Sequence, residues 1–451
     1  MQSAFQDIII AQATPPGVSA IAILRCSGSG CFDISQRLAG PSITARGIYY
    51  ARLRDSTGDL LDEVMLLAMP GPQSPTGEDV LEIHCHGSVA VIDALLREIL
   101  NWERVRLAQA GEFTRRAFHN GKLDLTQTEG LGDLLAAQTQ AQRLQALRQL
   151  GGGLSDQALK WRQDIIALLG HLEASIDFAD EALPASLVAE INEKAAELIG
   201  QMGGSLADGV VGARIRHGVQ VVLIGPVNAG KSTAINALAK RDVAIVSNEA
   251  GTTRDAIEVQ LNLAGLPVTL TDTAGLRETQ SQVEKKGITL ARDKAAEADA
   301  CVILLDASAP DWQDMLQKLR DWSDKPCLVV LNKADKVSMT KPDEVDLLVS
   351  LSSDKGSASD HISLLEDALA RLVKPLNNPV SPPLITQARH HQEITRAKKA
   401  LEAGLMVDID TAPELRAEDW RQAADALGRL VGQIDVEDLL DHIFGQFCIG
   451  K

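Results

Sequence analysis

Eight consecutive residues carry the strongest chemical signal in the chain: Gly225-Pro226-Val227-Asn228-Ala229-Gly230-Lys231-Ser232. They follow the β-branched run Val219–Ile224 and open the helix-compatible stretch 233–238, which begins with Thr233. This is the strand–GxxxxGK[ST]–helix order of a phosphate-binding loop. Successive backbone N–H groups of such a loop point inward, and the helix N-terminus adds positive potential for a polyphosphate. Lys231 is expected to reach the β- and γ-phosphates, and the Ser232 hydroxyl to hold Mg²⁺.

Three further motifs follow in order: Gly251-Thr252-Thr253-Arg254-Asp255, Asp272-Thr273-Ala274-Gly275 and Asn332-Lys333-Ala334-Asp335. The second lies just after the apolar run 266–270 and the third just after 327–331, so both stand at strand ends, where an open α/β sheet places its ligand. Thr253 is the candidate to complete the Mg²⁺ shell and sense the γ-phosphate. Asp272 can hold the metal through water, and the Gly275 N–H can meet the γ-phosphate. Asn332 and Asp335 suit guanine, because a carboxylate pairs with its N1–H and exocyclic amine, and adenine offers neither donor there. A weaker fifth motif, Ser350-Leu351-Ser352-Ser353-Asp354-Lys355, would give a backbone N–H to the guanine O6. Four ordered motifs point to a GTPase.

The rest of the chain must position that site. Its 451 residues allow two or three domains, and a hydrophobic content of 45% with 23% charged residues is that of an ordinary soluble globular protein. A net charge of −17 argues against a protein that coats nucleic acid, so any RNA contact must use a local patch or a partner's surface. Six scattered cysteines with no CxxC pair indicate neither zinc nor a disulfide framework, and most are expected to be buried thiols. No signal peptide or membrane-spanning run is expected, which suggests a cytoplasmic protein without membrane attachment.

The architecture expected is multidomain. Residues 1–122 read as an α+β domain, with strands at 20–24, 49–53, 64–68 and 80–83 and helices at 32–38 and 89–100. Residues 123–217 read as the first part of a helical domain. There Leu134, Ala137, Ala141 and Leu144 share one face, Ile165, Leu168, Leu169, Leu172 and Ile176 another, and Gly151-Gly152-Gly153 makes a break. A Gly-rich connector from Gly203 to Gly218 leads into the α/β P-loop domain, residues 218–376. After the stiff segment 377–383, residues 377–451 resume helical periodicity with Ile394, Ala397, Leu401 and Leu405 on one stripe. Two amphipathic segments that each need an apolar partner are most simply one bundle into which the GTPase domain is inserted. His84 and His86 alternate on a strand-like stretch with no third metal ligand evident, and His390-His391 read as surface residues. Arg115, Arg116 and Lys122 form the best basic cluster of the first domain, able to bind either carboxylates or tRNA phosphate. At the other end, Phe444-Gly445-Gln446-Phe447-Cys448-Ile449-Gly450-Lys451 places a thiol beside small residues and a lysine, without the pattern of a prenylation box.

Several of these stretches together resemble the tRNA modification GTPase MnmE (TrmE) family. The residues that carry the resemblance are Gly251–Asp255, Asp272-Thr273-Ala274-Gly275-Leu276-Arg277-Glu278, the Phe-Cys-Ile-Gly-Lys ending, Ala11-Gln12-Ala13-Thr14-Pro15-Pro16-Gly17, and Gly111-Glu112-Phe113-Thr114 through Asp124-Leu125. The resemblance spans the whole chain. It implies an N-terminal tetrahydrofolate-binding domain that makes a homodimer, a helical domain, and an inserted Ras-like GTPase domain. It also implies work with a flavin-dependent partner, MnmG (GidA), that installs an aminomethyl-type (carboxymethylaminomethyl) group on C5 of the wobble uridine of certain tRNAs. A tetrahydrofolate derivative of 5-formyl or methylene type is the implied one-carbon source. Arg25, Glu82, Lys122 and Lys451 match the folate-contacting positions, although the first three could equally form surface ion pairs. Cys448 matches a cysteine important for modification.

The resemblance further implies GTP contacts from Ser247, Asn248, Glu249, Ala250, Gly251 and Thr252, with Thr273 and Ala274. Small GTPases orient water with a Gln after the third motif, whereas this chain has the apolar Leu276 there. The family instead uses K⁺ in place of an arginine finger. Asn228, Ser247, Glu249 and Thr252 match its ligands, and Glu284 matches the catalytic Glu that positions the attacking water. The chain departs from the family at Val18–Ala22, which lacks glycine, and at Cys85, which replaces one; both add β-carbons near the presumed folate pocket. A GTPase switch without modifying chemistry, such as a ribosome-assembly factor, is the alternative of a different class.

Overall fold

In a computed structural model the described residues are 7–177, 184–241, 243–244, 258–263, 265–272, 291–351, 358–377, 383–434, 440, 443–445, 447 and 449–450. The chain divides into two compact units, one of Met1–Gly132, Gln149–Ala195 and Lys399–Lys451, the other of Asp133–Arg148 and Ala196–Lys398. Strands are β1 Ile8–Gln12, β2 Ser19–Ser27, β3 Gly47–Arg54, β4 Leu60–Met69, β5 Val80–Gly87, β6 Val105–Leu107, β7 Val219–Ile224, β8 Glu258–Leu263, β9 Leu266–Asp272, β10 Ala300–Asp306, β11 Cys327–Asn332 and β12 Leu347–Leu348. Labelled helices are α1 Asp33–Arg37, α2 Val89–Leu100, α3 Glu112–His119, α4 Leu125–Ala136, α5 Gln140–Leu150, α6 Gly153–Asp177, α7 Ala185–His217, α8 Lys231–Ala239, α9 Trp312–Arg320, α10 Ala358–Val373, α11 Ala388–Met406 and α12 Pro413–Val431.

The first unit contains a six-stranded sheet of order β3-β4-β5-β2-β1-β6, antiparallel except for the β1–β6 pair. Alternation along β5 sends Leu81, Ile83 and Cys85 into the core shared with α1 and α2, while Glu82, His84 and His86 take the other face. Cys85 therefore fills the core and donates to the Ala22 carbonyl, so its side chain does not crowd a pocket on the Glu82 face. Strands β1 and β6 and helix α3 were not expected from the sequence. Ile8, Ile10 and Val105 join the main core, while Ile9, Ala11 and Phe113, with Ala108 just past β6, form a small separate cluster, so no long periodic run marks these elements.

A buried guanidinium ties these unexpected pieces together. Arg116 of α3, with no exposed surface, pairs with Asp7 at 2.8 Å, Glu78 at 3.1 Å and Glu112 at 3.4 Å. The expected basic cluster does not form, because Arg116 is spent inside, Arg115 lies over the Phe444 ring, and Lys122 donates to the Pro72 carbonyl. Burial pushes the Asp7 and Glu112 carboxyls upward, but hydrogen bonds from Arg106 and the charges of Arg106 and Arg116 outweigh it, so both titrate below their ordinary values.

Helical packing in the same unit joins distant parts of the chain. α12 packs along α6, and both helices bury apolar side chains, Trp161, Ile165 and Leu172 on α6 and Ala417, Trp420, Ala424 and Leu427 on α12. Buried Arg416 donates to the carbonyls of Gly404, Leu405 and Val407, satisfying orphan groups at the C-terminus of α11.

The second unit holds the sheet β12-β11-β10-β7-β9-β8, parallel except for the β8–β9 hairpin. Its two faces are covered by separate apolar clusters, one with α8 and α10, the other with α9. Three helical expectations are corrected here. The Gly203–Gly218 segment is no connector: α7 runs unbroken to His217, and two of its glycines, Gly209 and Gly212, admit Ile385 at close range. A β-carbon at Gly212 would sit 2.0 Å from the Ile385 carbonyl oxygen. The face drawn through Leu134 and Leu144 is interrupted between α4 and α5, where Gln142 accepts from the Thr139 N–H at 3.1 Å and the Thr139 hydroxyl accepts from the Gln142 N–H at 3.3 Å. His390 is fully buried, its Nδ1 accepting from the Thr386 N–H at 3.4 Å. The stiff segment 377–383 falls largely outside the described residues.

Removing the buried guanidinium should expose its role in acid stability. The contribution of Asp7 and Glu112 is complete above their ordinary pKa values of 3.8 and 4.5 and is lost as pH falls through the depressed folded values. Arg116→Met should cost about 3–5 kcal/mol near neutrality and should lose less further stability on acidification than the parent, as read from urea denaturation across that range.

Candidate active site

The described phosphate and guanine motifs meet at the C-terminal ends of β7, β9, β10 and β11. β7 is flanked by β9 on one side and β10 on the other, which makes its C-terminal end the switch point of the sheet. Here the chain leaves β7 and turns directly into α8 through Gly225–Gly230. Two glycines are required. Gly225 has φ +156° and a β-carbon would lie 2.1 Å from the Leu304 carbonyl oxygen; Gly230 has φ +102° and a β-carbon would lie 2.3 Å from Asn332 Nδ2. Asn228 also takes a left-handed conformation, φ 70°. Lys231 is buried at the base of α8 and its Nζ donates to the Gly225 and Pro226 carbonyls at 2.7 and 2.9 Å, folding the ammonium across the loop.

The candidate metal and base residues stand at the same sheet end. Ser232 Oγ donates to Asp272 Oδ2 at 2.8 Å, and Asp272 is fully buried. Two hard oxygens from separate elements suit a small divalent cation such as Mg²⁺. Asn332 is 2% exposed; its Nδ2 donates to the Ala229 carbonyl at 2.9 Å and its Oδ1 accepts from the Leu351 N–H at 3.0 Å. Its side chain thus links the phosphate loop to the fifth motif. Asp335 sits in a 3₁₀ turn, where the Ser350 hydroxyl donates to it and holds its carboxyl below the usual range. Lys333 Nζ pairs with Asp306 Oδ2 at 2.6 Å. Asp306 escaped the sequence reading, since it belongs to no motif; the only signal was an acid at the end of an apolar strand. Thr233 lies exposed in the first turn of α8.

In the first unit, Arg25 and Glu82 are cross-strand partners, joined at 2.8 Å, and Arg25 lies over the Phe113 ring. Arg25 also reaches the Gly450 carbonyl at 3.5 Å, and Ile449 bridges to Ala110. Lys122 is not among this group. His84 bonds Glu82 at 3.2 Å and His86 bonds Asp62 at 2.7 Å, so each histidine has a carboxylate partner. Among the described residues no group of three or more His, Cys, Asp or Glu is arranged to hold a metal, and no helix is long and apolar enough to cross a membrane. Ser247, Asn248, Glu249, Ala250, Gly251, Thr252, Thr253, Thr273, Ala274, Gly275, Glu284, Ser352, Ser353, Cys448 and Lys451 lie outside the described residues.

Fold and motif geometry define a P-loop GTPase domain carried in a multidomain chain. The model of the MnmE helical domain matches residues 125–448, and that of the GTP-binding protein TrmE N-terminus matches residues 8–122. The tRNA modification GTPase MnmE of Rhodopseudomonas palustris is 45% identical over 451 residues, covering 98% of each chain. That of Ruegeria sp. is 41% identical over 450 residues, covering 99% of this chain and 100% of its own. Of solved structures, an Aquifex aeolicus Era variant bound to GDP and AlF4⁻ matches 40% of this chain and 66% of its own, at 25% identity and a TM-score of 0.25. The chain belongs to the tRNA modification GTPase MnmE family.

Gly230→Ala tests the loop geometry. The substitution forces a side chain into a left-handed conformation and against Asn332, and should weaken GDP binding by roughly a hundredfold. Titration with a fluorescent guanine nucleotide reads the loss.

Proposed function

We propose that the chain hydrolyses GTP in a K⁺-dependent reaction and, with the flavin-dependent partner MnmG, modifies C5 of the wobble uridine of certain tRNAs to a carboxymethylaminomethyl-type derivative. The observation that carries the GTPase part is the convergence at one sheet end of Lys231, the Ser232–Asp272 pair and the Asn332–Asp335 turn. The tRNA part rests on membership of the family, whose relatives match end to end.

In this reading the loop N–H groups from Asn228 to Thr233 and the Lys231 ammonium bind the phosphates. Ser232 and Thr253, with Asp272 behind them, hold Mg²⁺. Asn332, Lys333 and Asp335, with backbone from Ser352 and Ser353, select guanine. The Gly275 N–H, with its motif neighbours Thr273 and Ala274, meets the γ-phosphate, and residues 247–252 complete the nucleotide contacts. Leu276 has no group to orient water, so Glu284 takes that role through an intervening water. Asn228, Ser247, Glu249 and Thr252 hold K⁺, which when bound supplies positive charge between the β- and γ-phosphates.

The domain plan proposed is 1–122 for folate and dimerisation, 123–217 and 377–451 for the helical domain, and 218–376 for the GTPase. Ile48, Tyr50 and Met65 stand exposed on the paired strands β3 and β4, and Val18 and Ile21 are exposed at the start of β2, an apolar set that supports a homodimer. The half-buried Arg25–Glu82 pair, met by the chain end at Gly450, supports a polar ligand such as a tetrahydrofolate derivative, with Lys122 and Lys451 as further contacts. Cys448 acts in the modification, and the protein works in the cytoplasm.

Two measurements check the reading. Replacing K⁺ by Na⁺ at equal ionic strength should collapse GTP turnover, and equal rates would remove the K⁺ assignment. Cys448→Ser should leave GTP turnover intact while abolishing wobble-uridine modification, followed by mass spectrometry of tRNA nucleosides; unimpaired modification would remove Cys448 from the chemistry.

A further inference from the structure

Asp306 closes β10 directly beside Asn332 in the parallel register, and the Ala307 N–H bonds to the Asn332 carbonyl at 2.8 Å. One carboxylate serves two turns. Its Oδ1 accepts from the Ser308 N–H at 2.9 Å and the Ser308 hydroxyl at 2.6 Å, while Oδ2 receives Lys333 Nζ at 2.6 Å. Both partners of the ion pair are four-fifths buried. Burial works against its charge, yet the hydrogen bonds of Lys333 and Ser308 hold the Asp306 carboxyl below its ordinary range.

The partner it holds is unusual. Lys333 occupies the left-handed region, φ 63° and ψ 37°, which a β-carbon disfavours. It begins the turn that carries Asp335. The Asn332 side chain is already committed to Ala229 and Leu351, so it fixes the start of the turn but not the residues after it. Those residues are pinned at two points: Asp335 by Ser350, and Lys333 by Asp306.

We propose that Asp306 is a positioning residue for guanine recognition, acting through Lys333 to fix the turn that presents Asp335. This rests on the GTPase reading above. Asp306 touches no nucleotide atom in this role, so its loss should appear in binding and not in the chemical step.

Asp306→Asn keeps the size and an acceptor for Ser308 while removing the charge. It should raise the Kd for GDP and the KM for GTP roughly tenfold, the scale of one charge-assisted hydrogen bond, and leave kcat at saturating GTP unchanged. In a Lys333→Met background the same substitution should add almost nothing, and Asp306→Glu should restore part of the affinity. Unchanged GDP binding, a fall in kcat alone, or a full tenfold loss in the Lys333→Met background would each overturn the proposal. An unaltered chain that binds no guanine nucleotide would instead overturn the GTPase reading itself. Should Asp306→Asn not fold, Lys333→Met with the native Asp306 carries the test: normal GDP affinity there contradicts the proposal.

Discussion

The buried amide of Asn332 holds the nucleotide site together. One side chain satisfies the Ala229 carbonyl of the phosphate loop and the Leu351 N–H beyond β12, and both bonds lie away from water. Leaving either backbone group unpaired would cost about 1–3 kcal/mol, so the loop, the guanine turn and the fifth motif are locked to one another. Gly230 must lack a side chain because this amide stands 2.3 Å from where a β-carbon would be. The phosphate-binding and base-reading halves are therefore built as one object.

The first unit shows a comparable economy with charge. Arg116 is completely enclosed and answered by three carboxylates, an arrangement that is stable only while every partner is present. Around it stand Gly111, where a β-carbon would lie 2.4 Å from the Phe444 carbonyl oxygen, and the cluster of Leu125, Leu440, Phe444 and Phe447. Leu440, Phe444 and Phe447 are thus anchored against α3 and α4. Anchorage of this kind brings Gly450 to Arg25 across more than four hundred residues of sequence.

Much of the GTPase domain was legible in the sequence because phosphate binding demands particular residues at fixed spacing. Gly225, Gly230, Lys231 and Ser232 leave few alternatives once a strand precedes and a helix follows. Apolar strands such as Cys327–Asn332 were equally plain. What escaped was held by contacts without periodicity. β1 and β6 are short, α3 is stabilised by an ionic network, and the glycines of α7 looked like a loop although two of them, Gly209 and Gly212, let Ile385 approach the helix. His390 was misread as surface because its partner is a backbone N–H four residues back. Asp306 was overlooked because its meaning comes from the parallel register with Asn332, which no local pattern reveals.

Guanine selection as proposed rests on the Asp335 carboxylate, carried on a turn locked to the phosphate loop. Asp335→Asn replaces an acceptor pair by an amide that complements xanthine, whose ring carries a carbonyl where guanine has an amine. Competition binding of GTP and xanthosine triphosphate to that variant tests the claim most directly. A reversal of preference toward xanthosine triphosphate is the predicted result, and an undiminished preference for GTP would contradict it.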